Sequence, residues 1–372
     1  MIGFKNGVEA EENNVVRGFS SDTEVKTNHG WKLISQVDPE QDMILVAETD
    51  TREISYAQPL RVTVTPYEGT LMHLETRQVN LMLTDKTPLH LVRKHTREGK
   101  CIYSPQQAEN AGEKKNKDLL PLSGFRYHNG NEMEFVLPAI TVTKRKKEVT
   151  YPERRIDMKC WLEFFGFWLA DGCCRGPLSS GKTLYAVFIK QKEDNGDYVL
   201  SLLRNIGFTP RVEHYKAKGY NNYCIYDRQL WEYLRQFGKS EDKYIPEEFL
   251  SLAPEYLEVL FRGYINGDGK ECRTCKVLSS RSKRLLDNVQ ELVLKLEGKV
   301  TQARKEYYTV QDGSRRWVWV IDYSMNERKR KNYTCYGEAK CVDYKGDVCG
   351  LQIEPGKVML LRRNNTIMWA AC

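Results

Sequence analysis

No stretch of this chain approaches the ~20 consecutive apolar residues needed to cross a bilayer, and its opening, MIGFKNGVEAEENN, has no apolar core of the kind a secretory signal requires. A membrane-spanning or secreted protein is therefore not expected, and a cytosolic or nuclear setting is. There is no disulfide framework to read either. The 11 cysteines are odd in number and unevenly spaced across 372 residues, which points to reduced thiols. Nor is there a dominant charge. The 57 Lys+Arg against 50 Asp+Glu leave +7, which permits a polyanionic partner without demanding one. Long helical periods are missing from the first ~140 residues, although the length suffices for two or three domains, each with its own core.

What that first part does contain is short, turn-punctuated strands. Val25 and Thr27 alternate ahead of an Asn28-His-Gly30 turn, and Met43–Ala47, Leu60–Thr65, Leu71–Leu74 and Val79–Thr84 follow. An all-β domain is the expectation. Residues 94–117 read as a long polar loop, and residues 143–155 as a basic linker. The tail from Cys341 to Cys372 returns to β character around an Asn364-Asn365 turn.

Between these parts the period changes. Two nonapeptides answer one another: Phe164-Phe-Gly-Phe-Trp-Leu-Ala-Asp171-Gly172 and Phe261-Arg-Gly-Tyr-Ile-Asn-Gly-Asp268-Gly269. Each closes an apolar run, and each is followed by strands and a further helix. The two Asp-Gly pairs stand 97 residues apart. This pattern predicts an internal repeat with a pseudo-twofold axis. Gly166 and Ala170 lie four apart on one helical face, as do Gly263 and Gly267, so two backbones can approach closely. Gly172 and Gly269 fit a left-handed position ending each helix. Asp171 and Asp268 would then stand together at the unfavourable negative end of two helix dipoles, where a divalent cation offsets the cost. Mg²⁺, which takes a few carboxylates plus water and phosphate oxygens, suits such a pair. The chemistry that follows is metal-assisted attack on a phosphodiester.

A nucleic-acid surface is the natural complement. Lys190, Gln191, Lys192, Arg211, His214, Lys216 and Lys218 are candidates in the first repeat, with Arg304, Lys305, Arg315 and Arg316 in the second. Residues 299–331 hold nine Lys/Arg against four Asp/Glu. Alternation along the strands would put these groups on one face, with phosphate contacts positioning the duplex and Arg or Gln reading bases. The Cys272-Arg-Thr-Cys275 pair has no partner of the spacing a zinc site uses, so zinc is not expected.

The paired motifs resemble those of the LAGLIDADG homing endonucleases in their single-chain, two-motif form, and Lys243-Tyr-Ile-Pro246 resembles the Lys-x-Ile-Pro block of the intein-borne members. That resemblance implies an α/β endonuclease domain of two αββαββα repeats. Asp171 and Asp268 would bind the catalytic metals, and Lys243 would assist near the scissile phosphate. The partner would be double-stranded DNA carrying a long recognition site in the host gene that lacks the insert, bound by a monomer.

The flanking β segments resemble an intein Hint domain, a horseshoe-like all-β fold that performs autocatalytic protein splicing. Gly18-Phe-Ser-Ser-Asp-Thr-Glu-Val25 resembles its opening block, and Arg362-Arg-Asn-Asn-Thr-Ile-Met-Trp369 a closing block. The family's first residue is a Cys or Ser nucleophile, and Gly18 stands in its place. The Asn that cyclises at the downstream junction is replaced by Ala371, which follows Ala370, and Cys372 fits the first residue of the downstream host (extein) segment. A Thr-x-x-His block matches Thr87 to His90 in letters. A second register, Thr84-Asp-Lys-Thr87, puts Thr87 where the His belongs. Asp347-Val-Cys-Gly-Leu351 resembles the strand that often bears a catalytic Cys or Asp, so Cys349 or Gly350 falls there.

The implied architecture is multidomain: host residues 1–17, Hint domain 18–145 and 335–371, and endonuclease 146–334. Splicing needs an acyl acceptor that Gly18 lacks, and a side-chain amide that Ala371 lacks, so both junctions are blocked. Clean loss at both ends with flanking residues kept points to deliberate substitution over decay. Two other readings remain: a stand-alone homing nuclease with a degenerate Hint remnant, and a non-catalytic DNA-binding protein of the same fold. Localisation would follow the host protein.

Overall fold

In the computed structural model of the chain, two long strands pair into a ribbon. Arg61–Glu75 pairs antiparallel with Lys340–Gln352, from Arg61 opposite Gln352 to His73 opposite Lys340. Residues 15–76, 79–95, 101–107, 118–119, 126–127, 133–144, 147–176, 185–215, 219–268, 270–271, 276–300, 302–310, 312–325, 333–334 and 339–371 are described. The chain divides into two compact units. The first takes Met1–Thr51, Tyr56–Pro121 and Lys331–Cys372; the second takes Arg52–Ser55 and Leu122–Arg330.

The first unit is built of strands. Phe19–Ser20, Lys340–Gln352, Arg61–Glu75 and Asn80–Leu83 close into a barrel. The strand Lys357–Arg363 pairs with Thr366–Ala370 and also with Glu24–Thr27 and Ile44–Glu48. The Asn364-Asn365 turn takes φ of 47° and 65°, a left-handed pair that Asn tolerates better than most residues. Inward positions are apolar, with Leu71, Leu360 and Leu361 at 0% exposure. Along Thr366–Ala370 every residue is buried. Strand formation also reaches further than the polar composition of residues 94–117 implies. Pro88–His95 pairs antiparallel with Cys101–Gln107, so the expected loop is strand at residues 94–95 and 101–107; residues 108–117 lie outside the described residues.

The second unit carries the helices: α1 (Met158–Asp171), α2 (Gly196–Asn205), α3 (Arg228–Leu234), α4 (Glu247–Leu250), α5 (Pro254–Asp268) and α6 (Lys283–Lys295). The Asp157 carboxylate accepts from the Cys160 N–H and starts α1, and Ser282 does the same for α6 through Leu285. Trp161, Phe164, Phe165, Phe167 and Trp168 of α1 are all at 0% exposure. Each such ring contributes roughly 1.5–3 kcal/mol by leaving water. Phe135 stacks on Trp161 at 3.9 Å with planes 5° apart. That contact explains why residues after Leu122 group with the helices, although the expected boundary lay at residue 145.

Residues 143–155 are not a linker. Ile140–Lys144 and Lys147–Tyr151 form a regular antiparallel hairpin, and Arg154–Asp157 pairs with Glu134–Leu137. The β-branched residues Ile140, Thr141, Val142, Thr143, Val149 and Thr150 favour the strands despite the basic flanks.

A four-stranded sheet follows the first long helix and a five-stranded sheet the second. In the first, strand order is Gly172–Arg175, Ala186–Lys192, Tyr220–Ile225, Arg211–Tyr215. In the second it is Lys270–Glu271, Lys276–Ser280, Arg315–Ser324, Lys299–Val300, with Arg304–Thr309 also on Arg315–Ser324. Asp312-Gly313, a turn-forming pair in the sequence, stands between Arg304–Thr309 and Arg315–Ser324 with Gly313 at φ 81°. The helix-strand order therefore repeats, in keeping with the two motifs.

Candidate functional site

Helices α1 and α5 meet glycine against backbone. A Cβ placed on Gly166 would lie 2.2 Å from the Leu260 carbonyl oxygen, and one placed on Gly263 would lie 2.2 Å from the Glu163 carbonyl oxygen. Glu163 stands three residues before Gly166 and Leu260 three before Gly263, so the contact is reciprocal. Further along, a Cβ on Gly267 would lie 2.4 Å from the Ala170 Cβ and 3.5 Å from Asp171 Oδ2. The small residues at the seventh motif place thus bring the Asp171 carboxylate beside the end of α5, where Asp268 is the last helical residue. The Asp268 side chain lies outside the described residues.

Gly172 departs from expectation. Its φ of −88° and ψ of 157° are extended, not left-handed. The need for glycine there is steric: a Cβ would lie 2.0 Å from the Trp168 ring. Gly269 lies outside the described residues.

The end of α1 is held by Lys243. Its ammonium donates to the carbonyls of Trp168 (2.8 Å), Leu169 (2.9 Å) and Gly172 (2.6 Å), and it stands 4.5 Å from the Trp168 ring centroid. Lys243 is 4% exposed. An ammonium has three protons, and these three carbonyls accept them, so Lys243 is not free for a phosphate. It satisfies carbonyls that a helix end otherwise leaves open. Its own backbone is fixed in turn by the Ser282 hydroxyl, which donates to the Lys243 carbonyl at 2.6 Å. Burial beside this cluster pushes the Cys174 thiol up to about 12, despite the nearby Lys243 charge.

Gln191 donates its amide to Asp171 Oδ2 at 2.7 Å. The sequence offered Gln191 only as one of many surface groups. The signal that sets it apart is parity: Gln191 alternates with Lys190 and Lys192, so it points toward the helices and they point away. Among the described residues no three His, Cys, Asp or Glu side chains converge. One placed carboxylate beside the terminal Asp of a second helix, with an amide alongside, fits a hard cation that keeps water and phosphate oxygens as its other ligands. It does not fit a closed structural zinc site. Cys272 and Cys275 lie outside the described residues.

The open sheet face of the first repeat gathers several expected cations. Cross-strand pairs put Phe188, Cys224 and Arg211 on one face, and Lys190 and Lys192 share it with Phe188. Lys190 stacks over Tyr220 at 3.8 Å, and Tyr220 stacks on Tyr215 at 5.0 Å. Arg175, opposite Ala186 and 4.7 Å from the Phe188 ring, joins this face and was not foreseen. His214 is on the other face, with Nδ1 2.9 Å from Asn221 Oδ1. Lys216 and Lys218 lie outside the described residues.

In the second repeat the four expected cations do not share a face. Arg304 and Lys305 are consecutive on a strand, as are Arg315 and Arg316, so each pair splits. Arg304 and Arg316 fall with Tyr308, Val320 and Asp322; Lys305 and Arg315 fall with Tyr307, Trp317 and Trp319. Arg304 is itself paired, to Asp322 at 2.7 Å and Glu306 at 2.8 Å.

The first unit holds a separate cluster around the Arg17–Gly18 peptide. The Gly18 N–H donates to Thr87 Oγ1 at 2.8 Å, and that hydroxyl is 3.0 Å from the Gly18 carbonyl oxygen. The Thr84 N–H donates to the same oxygen at 3.1 Å, and the two Thr hydroxyls are 2.8 Å apart. Geometry thus brings Thr84 and Thr87 to Gly18. His90 lies on the strand Pro88–His95, with its side chain outside the described residues. A Thr hydroxyl donates a hydrogen bond but is too weak an acid to surrender its proton near neutral pH, so Thr87 here bridges the Gly18 N–H and carbonyl without acting as a general acid.

Gly18 sits at φ 148°, where a Cβ would lie 2.5 Å from the Cys349 carbonyl oxygen. A Cβ on Gly350 would lie 2.6 Å from Thr63 Oγ1 and 3.0 Å from the Arg17 carbonyl oxygen. Cys349 alternates with Gly350, pairs with Phe19, and is 1% exposed. Burial and the Asp347 charge push its thiol up. The strand position that faces the Arg17–Gly18 bond is therefore Gly350, which has no side chain to offer. At the other end Ala370 and Ala371 are 1% and 6% exposed, and Cys372 lies outside the described residues.

Comparison with known proteins places similar chains beside this geometry. No family model matches. The chain is 27% identical over 290 residues to an ATP-dependent Clp protease proteolytic subunit of Chlamydomonas moewusii, covering 74% of this chain and 27% of that protein. It is 21% identical over 415 residues to a DNA-directed RNA polymerase subunit beta C-terminal section of Stigeoclonium helveticum, covering 94% of this chain and 36% of that protein. The chain thus spans about a quarter to a third of the curated relatives it matches. Solved structures similar to it include the homing endonuclease I-DmoI in complex with DNA and Mn (15% identity, 46% of this chain and 92% of that one, TM-score 0.34). The homing endonuclease I-WcaI bound to its DNA recognition sequence is another (11%, 45% and 76%, TM-score 0.28). A third is a splice-inactive AceL NrdHF class 3 split intein (10%, 56% and 98%, TM-score 0.24).

Proposed function

We propose that the second unit is a site-specific endonuclease acting on double-stranded DNA with a divalent metal, Mg²⁺ by preference, and that the first unit is an intein-type splicing domain without a working splice centre. The observation that carries the reading is the reciprocal glycine contact of α1 and α5, which puts Asp171 next to the Gly267–Asp268 end. Two carboxylates at paired helix ends would hold the metal, which supplies Lewis acidity and an activated water when bound. Gln191 orients Asp171, and Lys243 fixes the helix end from which Asp171 projects. The open sheet face with Arg175, Lys190, Lys192 and Arg211 presents cations to phosphates. The relatives support an inserted element: one piece is shared by proteins named for proteolysis and for transcription, and it occupies a minor part of each.

The splice centre lacks its chemistry in three places. Gly18 offers no nucleophile, Gly350 no side chain toward the Arg17 carbonyl, and Ala371 no amide. A protein made with these residues keeps its flanking segments attached.

The test is cleavage. The protein is incubated with Mg²⁺ and duplex DNA encoding an uninterrupted Clp protease proteolytic subunit, together with a randomised plasmid library. Discrete double-strand breaks that disappear in Asp171→Asn support the reading. Sequence-specific binding with no breaks at any Mg²⁺ or Mn²⁺ concentration overturns it in favour of a DNA-binding protein.

A further inference from the structure

The second-repeat cations split between the two faces of the hairpin Arg304–Thr309/Arg315–Ser324, and one of these faces sets its cations among aromatic rings. On it, Lys305 stands opposite Trp319, Tyr307 opposite Trp317 and Thr309 opposite Arg315. Cations and rings interleave. The Lys305 ammonium is 4.7 Å from the Trp317 centroid and 5.0 Å from that of Trp319, and the Arg315 guanidinium is 4.5 Å from that of Tyr307. The ladder is open to solvent: Arg304–Thr309 is exposed at every residue, Tyr307 is 56% exposed, and Trp317 and Trp319 are half-buried. Nearer α5 and α6 the same face is covered, with Ile321 at 0% and Tyr323 at 2% exposure and Phe261 set edge-on to Tyr323 at 5.2 Å.

Charge distinguishes this face from the other. Arg304, on the opposite side, is neutralised by Asp322 and Glu306. Among the described residues, Lys305 and Arg315 have no carboxylate partner and lie only against rings. A partner must therefore bring negative charge together with flat apolar faces. Duplex DNA offers phosphates but hides its base faces in the stack. Unpaired nucleotides offer both, and base–aromatic stacking contributes about 1–3 kcal/mol per base.

We infer that the Lys305–Tyr307–Arg315–Trp317–Trp319 ladder binds single-stranded nucleic acid, with bases stacking on Tyr307 and the two Trp rings and phosphates meeting Lys305 and Arg315. The site is separate from the α1–α5 ends and does not depend on the endonuclease reading. A strand freed from its duplex, such as one exposed at a cut end, is the chemistry it would take.

The full chain is titrated in EDTA with fluorescein-labelled dT20, with rU20, and with a 20-base-pair duplex. Anisotropy and tryptophan quenching are both read. The expected result is saturable binding of an unpaired strand, with tryptophan quenching, weakened at least tenfold in Tyr307→Ala/Trp317→Ala. dT20 against rU20 separates a DNA strand from an RNA one. Lys305→Ala/Arg315→Ala, which leaves the rings in place, is expected to weaken binding and flatten its salt dependence, so the assignment stays testable if the ring variant fails to fold. Three results overturn it: no binding of either strand, equal affinity in both double variants, or displacement of dT20 by duplex at equal nucleotide concentration. Asp171→Asn is expected to bind dT20 as the parent does, so loss of cleavage and loss of this site are read separately.

Discussion

Gly166 faces the carbonyl of Leu260 so closely that an added methyl carbon would lie 2.2 Å from its oxygen, and the mate of that contact, Gly263 on Glu163, has the same spacing. Neither neighbour is a flexible side chain that can swing away; both are helix backbone. Gly166→Ala and Gly263→Ala must therefore push the helices apart, at about 1–3 kcal/mol each or more. Ala is the better helix former by about 1 kcal/mol, so a gain in stability on substitution would show that the helices are not in this contact. Urea unfolding of each variant, followed by far-UV circular dichroism, measures the difference.

Lys243→Met keeps the aliphatic stem but leaves the Trp168, Leu169 and Gly172 carbonyls without their donor. A buried polar group left unsatisfied costs about 1–3 kcal/mol, so a loss of about 3 kcal/mol or more is expected in chemical denaturation. If the nuclease reading holds, cleavage falls with little change in DNA affinity, because the residue positions Asp171 and touches no phosphate. A variant with parental stability and normal cleavage would remove Lys243 from both roles.

Thr87→Val and Gly18→Ala probe the first unit. The Thr87 hydroxyl bridges the N–H and carbonyl of Gly18, and its loss is expected to cost about 1–2 kcal/mol. Gly18→Ala meets both a positive φ and the Cys349 carbonyl, and is expected to cost about 1–3 kcal/mol. Thermal unfolding of the precursor reads both. An unshifted Tm for Gly18→Ala would show that this backbone accepts a side chain, and hence a nucleophile, without strain.

Acid should weaken the first unit through Asp42. Burial of this carboxyl pushes its pKa up, but hydrogen bonds from Lys32 (2.6 and 2.8 Å) and from the Asp38 N–H (2.8 Å) outweigh that, and the net shift is below the ordinary 3.8. A carboxylate whose folded-state pKa is depressed stabilises above the unfolded value, and the contribution is lost as pH falls through the folded one. Stability should therefore be level near neutrality and decline below about pH 4. Asp42→Asn should be less stable at pH 7 and show a shallower acid decline. An unchanged acid slope in that variant would place the pH sensitivity elsewhere.

Local pattern alone determined a good deal of this protein. The two glycine-bearing nonapeptides, their 97-residue spacing and the Asp ending each apolar run were legible because helix periodicity and close-packing residues are written in neighbouring positions. The turns at Gly313 and Asn364-Asn365, and the β character at either end, were legible for the same reason. Partnership between distant backbones was not. That Lys243 grips three carbonyls of α1, that Gly172 makes room for an indole rather than for a left-handed turn, and that Thr84 and Thr87 reach Gly18 all depend on which atoms folding brings together. Strand parity is the instructive case. The sequence counted Arg304, Lys305, Arg315 and Arg316 as one basic surface, whereas the pleat turns adjacent residues to opposite sides. Only the register of the sheets decided which cations face together, and which of Cys349 and Gly350 faces the Arg17 carbonyl, because a one-residue change in pairing reverses every side chain of a strand.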